Sequence, residues 1–190
     1  LAETDNITVV GEAQNAAEAI KLGRSSDADV MLLDIGLPDR NGIEALKYIK
    51  RENNHMAVLM LSMYMEDQYA VRALKSGASG YVCKQRASSE LVNAIEIVAK
   101  GKKYITPEVA EILANKVGQE NTKAPHETLS DREFQTLIMI SSGYSVSEIA
   151  DKLALSVKTI SMYRTRLLEK MQLRHNADLT HYAIKNHLVE

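Results

Sequence analysis

Two rhythms of apolar residues alternate along the first half of the chain, and only one continues along the second. Residues 30–34 (Val-Met-Leu-Leu-Asp) and 56–62 (Met-Ala-Val-Leu-Met-Leu-Ser) are apolar runs too short for helices and bounded by turn residues. Strands buried on both faces read this way. Residues 7–11 (Ile-Thr-Val-Val-Gly) and 80–84 (Gly-Tyr-Val-Cys-Lys) read as two shorter strands. Between the strands, apolar positions recur at helical spacing over 15–22, over 42–51 with Ile43, Leu46 and Ile49 on one face, over 69–76 up to Gly77, and over 88–100 with Leu91, Ala94, Ile95 and Val98 inward. Residues 1–3 read as the tail of a helix. Strands alternating with helices predict an α/β domain over 1–100, built on a doubly wound parallel sheet.

Residues 101–128 read as a connector. Thr106 followed by Pro107 at the first helical position starts a short helix over about 107–117. Residues 118–125 are polar and aperiodic, the pattern of a flexible linker. From Leu129 only helices are predicted, over 129–190. Ser130 with Glu133 and Ser145 with Glu148 are capping boxes, each flanked by a hydrophobic staple, Leu129/Phe134 and Tyr144/Ile149. Ser156 caps a third helix, with Leu155 and Ile160 as its staple, and a fourth starts near Asn176 and runs through Leu179, Tyr182 and Ala183 to Leu188. Only Ala154-Leu155-Ser156 separates the second from the third, which predicts a helix-turn-helix inside an all-α four-helix domain.

Composition adds boundaries rather than direction. With 45% apolar and 25% charged residues in 190, the chain is of ordinary globular type, with room for one or two cores. The net charge of −2 gives no sign of a polyanion binder, but its distribution is uneven. Residues 1–100 carry 11 basic and 14 acidic side chains, 101–128 carry 4 and 4, and 129–190 carry 8 and 7. The C-terminal part is therefore compatible with nucleic acid. A single cysteine, Cys83, excludes an internal disulfide, fits a reducing compartment, and reads as a small buried hydrophobe. The histidines form no metal-binding pattern. No signal peptide or membrane-spanning run is present in the sequence given, so the expectation is a cytoplasmic protein with no membrane partner.

Candidate chemistry gathers at the strand ends. In an open α/β sheet, ligands bind outside the carboxyl ends of the strands. The predicted strands end on Asp34, Ser62 and Lys84, and a Gly/Pro/Asn-rich loop follows Asp34. Three of the strands thus end in polar, functional-looking groups. Taken singly, Ser62 and Lys84 are weak signals, since a strand-end serine is more often a turn former, and an aspartate at a strand end is also a common loop starter.

Together they resemble the two-component response regulators of the NarL/FixJ type, over nearly the whole chain. Residues 1–100 are similar to the receiver domain and 129–190 to the LuxR-type helix-turn-helix domain. The resemblance implies that Asp34 is the phosphoacceptor for a cognate histidine kinase, in the loop Leu37-Pro38-Asp39-Arg40-Asn41-Gly42. It implies that Ser62 and Lys84 stabilise the phosphoryl group and that Tyr81 is the aromatic switch residue; Tyr81 could equally pack in the core. Where relatives often have proline after the lysine, this chain has Gln85.

The resemblance also implies a central first strand and a Mg²⁺-binding acidic pair ahead of residue 1, some 20–25 residues by the usual size of a βα unit. Within the sequence as given, Asp34 and the backbone carbonyl of Gly36 are the metal ligands left, so Mg²⁺ binding is expected to be compromised. In the second domain, Leu129-Ser130-Asp131-Arg132-Glu133 resembles the opening motif of LuxR-type domains, residues 145–153 the scaffold helix and 157–171 the recognition helix. Ile160, Leu167 and Met171 face inward. Ser161, Met162 and Thr165, with Lys158, face a DNA major groove, and Lys158, Thr159, Arg164 and Arg166 contact phosphates. The fourth helix implies a homodimer on DNA.

The function so implied is a phosphorylation-controlled, DNA-binding transcriptional regulator, not a turnover enzyme. Phosphorylation would repack the surface of the fourth and fifth helix–strand units and free the recognition helix. Two alternatives stay open on the sequence. One is a constitutive DNA-binding regulator whose degenerate receiver-like domain only dimerises. The other is an enzyme using Asp34 as nucleophile, which lacks a second acid or base nearby.

Overall fold

The structure is a computed structural model that describes residues 6–63, 66–117 and 124–189. The expectations for residues 1–3 and for most of the 118–125 linker lie outside the described residues. The chain forms two compact units, residues 1–114 and 115–190.

In the first unit, β1 (Val30–Asp34), β2 (Ala57–Ser62) and β3 (Gly80–Cys83) form a parallel sheet in the order β1-β2-β3. Val30 faces Ala57 and Asp34 faces Leu61; Leu59 faces Gly80 and Ser62 faces Cys83. Helices α1 (Ala16–Ser25), α2 (Gly42–Glu52), α3 (Glu66–Lys75) and α4 (Ala87–Ala99) alternate with them. Ile43, Leu46 and Ile49 of α2 are fully buried, as their spacing predicts, and Ala94, Ile95 and Val98 of α4 pack on Leu59 and Val82. Cys83 is buried and free.

Three expectations need correction. Residues 7–11 form no strand, and Val9 and Val10 are 54% and 67% exposed. β-Branched residues favour extended chain, but a strand exists only beside a hydrogen-bonded neighbour, and among the described residues β1 pairs with β2 alone. Nor is β1 buried on both faces: Leu33 is its one buried residue, whereas every residue of β3 is buried. Helix α3 starts at Glu66, three residues before the predicted 69, because its polar first turn carries no apolar rhythm. Beyond the sheet, α5 (Pro107–Val117) matches the predicted connector helix, and Thr106 Oγ1 accepts from Val109 N at 3.4 Å.

The second unit holds α6 (Asp131–Ser141), α7 (Val146–Lys152), α8 (Val157–Met171) and α9 (Asn176–Lys185). Both capping boxes are formed. Ser130 Oγ accepts from Glu133 N at 3.3 Å while Glu133 Oε2 accepts from Ser130 N at 2.8 Å, and Ser145 and Glu148 repeat this at 3.3 and 2.8 Å. Ser156 Oγ accepts from Thr159 N at 3.0 Å and opens α8. The tight turn between α7 and α8 passes through Ala154 at φ +51°, a left-handed position. Helix α9 stops at Lys185 rather than at Leu188; His187 turns left-handed at φ +53°, and Leu188 is buried beyond it. Phe134, Leu137, Ile149, Ile160, Leu167 and Leu179 are buried where α6 packs against α7, α8 and α9.

Candidate functional site

Parallel pairing brings the predicted strand ends side by side. Ile35 N donates to Leu61 O at 3.1 Å and Lys84 N to Ser62 O at 2.7 Å, so Asp34, Ser62 and Lys84 leave the sheet at one edge. Lys84 Nζ contacts Asp34 Oδ2 directly, and Gly36 N donates to Asp34 Oδ1 at 3.0 Å. The Asp34 and Lys84 side chains are 32% and 36% exposed, open enough for a donor to reach the carboxylate. An ion pair so wet is worth only about 0–1 kcal/mol to folding, so its interest is chemical: a cation already stands where new negative charge would form. Ser62 is buried at the end of the intervening strand. Tyr81 is buried in β3, so in this structure it is a core side chain. The peptide after Lys84 is trans.

The loop that follows is fixed at both ends. Gly42 N donates to Ile35 O at 2.9 Å, and a Cβ built on Gly42 would lie 1.9 Å from Asp34 O, so only glycine lets α2 start this close to the carboxylate's own backbone. Asn41 caps α2, its Oδ1 accepting from Ile43 N at 2.8 Å. Asp39 reaches across to α1, where its carboxylate accepts from Ala16 N at 2.8 Å and Ala17 N at 3.1 Å. Burial pushes the Asp39 carboxyl up, but backbone N–H donors from Ala16, Ala17, Asp39 and Arg40 outweigh it and hold it below its ordinary value. Sequence reasoning missed this role, since an aspartate in a loop gives no sign of a partner 23 positions away.

For Mg²⁺ the described residues fall short. They contain no cluster of three or more His, Cys, Asp or Glu side chains. Asp34 and the carbonyl of Gly36 would supply two oxygens towards the roughly six that Mg²⁺ takes. These residues do not build a metal site alone.

The second candidate face is α8. Lys158, Ser161, Met162, Thr165 and Arg166 are exposed, Thr159 and Arg164 half-buried, and Ile160, Leu167 and Met171 buried. Lys158, Ser161, Met162 and Thr165 fall at helical spacing on one outward stripe, as read from the sequence. No acidic residue stands in the first turn of α8. Two hydroxyls are partly committed: Thr159 Oγ1 shares a hydrogen bond with Ser156 Oγ at 2.8 Å, and Thr165 Oγ1 donates to Ser161 O at 3.0 Å. Arg164 Nε donates to Asn176 Oδ1 at 2.6 Å, a contact the sequence reading did not contain. Tyr163 is half-buried.

Comparison with known proteins bears on both faces. Residues 1–96 match the family model "Response regulator receiver domain", and residues 127–183 match "Bacterial regulatory proteins, luxR family". The chain is 36% identical over 189 residues to the response regulator UvrY of Escherichia coli, covering 99% of this chain and 87% of that protein. It is 35% identical over 191 residues to the response regulator GacA of Pseudomonas aeruginosa, covering 100% and 89%. Among solved structures it is similar to RcsB of Salmonella enterica serovar Typhimurium, bound to promoter rprA in the presence of a phosphomimetic. That similarity has a TM-score of 0.61 at 28% identity and covers 96% of this chain and 88% of that one.

Proposed function

The chain belongs to the two-component response regulators that join a receiver domain to a LuxR-type helix-turn-helix, and we propose that Asp34 is its phosphoacceptor and α8 its DNA-reading helix. The contact of Lys84 Nζ with Asp34 Oδ2, beside the buried strand end at Ser62, is the observation that supports this most.

In the proposed step, a carboxylate oxygen of Asp34 attacks the phosphorus of a phosphohistidine on a cognate kinase. The new O–P bond forms as the P–N bond breaks, and the electron pair leaves with the imidazole. Lys84 and the Ser62 hydroxyl then turn to the phosphoryl oxygens. Mg²⁺, with Asp34 and Gly36 among its ligands, would neutralise phosphoryl charge when bound. The protein accepts one phosphoryl group and does not turn over a substrate. It works in the cytoplasm, where kinase domain and DNA are both within reach.

On the DNA side, Lys158, Thr159, Arg164 and Arg166 hold phosphates and set register, while Ser161, Met162 and Thr165 meet base edges. A homodimer reads two half-sites about one helical turn apart. The domain limits 1–100 and 129–190, with the linker between, fit this division of labour.

The test is incubation of the protein with acetyl phosphate and Mg²⁺, followed by intact-mass and peptide mapping. A phosphoryl-mass adduct on Asp34 that Asp34→Asn abolishes is expected. The alternative of a constitutive DNA binder whose receiver-like domain only dimerises predicts no adduct.

A further inference from the structure

Arg164 on α8 and Asn176, the first residue of α9, meet through one short hydrogen bond, Arg164 Nε to Asn176 Oδ1 at 2.6 Å. Asn176 is not needed to start its own helix: the carboxylate of Asp178 accepts from His175 N at 2.9 Å and from Arg174 N at 3.1 Å. The amide oxygen of Asn176 is spent on the recognition helix instead. No carboxylate pairs with Arg164 among the described residues, so its charge is not neutralised.

We propose that Asn176 is a positioning residue for DNA binding, which holds the Arg164 guanidinium in place for a backbone phosphate. This rests on the reading of α8 as the DNA-facing helix. A guanidinium has five N–H donors in a rigid fork. With the Nε–H taken by Asn176, both terminal nitrogens stay available for a bidentate phosphate contact. A free arginine would lose rotamer freedom on binding DNA, and one already held loses less. A neutral amide suits the task better than a carboxylate, which would hold the arginine equally well but cancel the charge that attracts DNA. The pair also locks the start of α9 to the middle of α8, so the phosphate contact is set by the packing of the domain.

The test measures binding of the full chain to a labelled mixed-sequence duplex across a salt series, for Arg164→Ala, Asn176→Ala, the double variant, Asn176→Asp and Lys158→Ala. Asn176→Ala is expected to weaken binding roughly 3- to 10-fold, the range for ordering one flexible side chain, with the salt slope unchanged because the charge remains. Arg164→Ala lowers the slope by about 1, and adding Asn176→Ala to it costs nothing further. Asn176→Asp keeps the fold and lowers the slope.

Equal losses from Asn176→Ala in the presence and absence of Arg164 would overturn the proposal, because a merely structural role behaves that way. Loss with Lys158→Ala but none with Asn176→Ala overturns the positioning role alone. No loss with either Lys158→Ala or Arg164→Ala overturns it together with the assignment of α8.

Discussion

Replacing Gly42 by alanine tests how closely the loop after the proposed phosphoacceptor is built. The added methyl would lie 1.9 Å from Asp34 O and 2.8 Å from both Asp34 C and Ile35 Cα. All three are backbone atoms, so no side chain can rotate away. An ordinary contact begins at 3.4 Å, so the two segments must separate by about 1.5 Å. That separation works against the hydrogen bond from Gly42 N to Ile35 O and, one residue away, the bond from Ile35 N to Leu61 O that ties this loop to β2. Overpacking costs typically about 1–3 kcal/mol, and loss of one backbone hydrogen bond adds about 1. We expect Gly42→Ala to destabilise the first unit by about 2–4 kcal/mol, which for a domain of this size lowers its melting temperature by at least about 8 °C. Displacing the carboxylate by about 1 Å should also slow phosphoryl uptake about 100-fold. Calorimetry reads the first effect and the rate of acyl-phosphate formation from acetyl phosphate the second. An alanine variant that melts within a degree or two of the parent and is phosphorylated at the parent rate would refute the reasoning.

Lys84→Met should leave folding stability within about 1 kcal/mol of the parent, because the pair with Asp34 is one-third exposed, yet it should sharply reduce phosphoryl uptake. A large melting shift with unchanged uptake would reverse the roles assigned here. Glu133 is held below its ordinary value of 4.5: burial pushes it up, and hydrogen bonds from Lys170 and Ser130 outweigh that. Since the folded form gives up the proton more readily than the unfolded chain, this stability is complete above about pH 4.5 and drains away as pH falls through the lowered value. Glu133→Gln should therefore cost about 1.5–3 kcal/mol at pH 7, and thermal melts should show the difference shrinking below pH 4.5. On DNA, Lys158→Ala should weaken binding to every sequence alike and lower the salt slope, whereas Thr165→Ala should relax preference at one base position. Binding across a panel of duplexes separates the two, and a uniform loss for Thr165→Ala counts against base contact.

What the sequence made legible was local or periodic. The span of α8 from Val157 to Met171, both capping boxes and the strand ends at Asp34 and Ser62 follow from cap chemistry and apolar spacing within a few residues. The missed features depend on distant neighbours. Residues 7–11 have strand composition but no partner strand among the described residues, and the apolar run of β1 does not announce that only its Leu33 is buried. The reach of Asp39 to α1 and of Arg164 to Asn176 spans 23 and 12 positions, and no short-range pattern announces either. That Asp34 and Lys84, 50 residues apart, both end strands was legible from the apolar runs; their direct contact was not, and their joint chemical role could be read only through likeness to a family in which both recur.

The most direct measurement compares DNA affinity of the full chain before and after phosphorylation at Asp34, on one duplex at one salt concentration, with Asp34→Asn treated identically. A gain in the roughly 5- to 150-fold range typical of coupled sites, absent in the asparagine variant, is the predicted result. Equal affinity with a verified phosphoryl group on Asp34 would contradict the account.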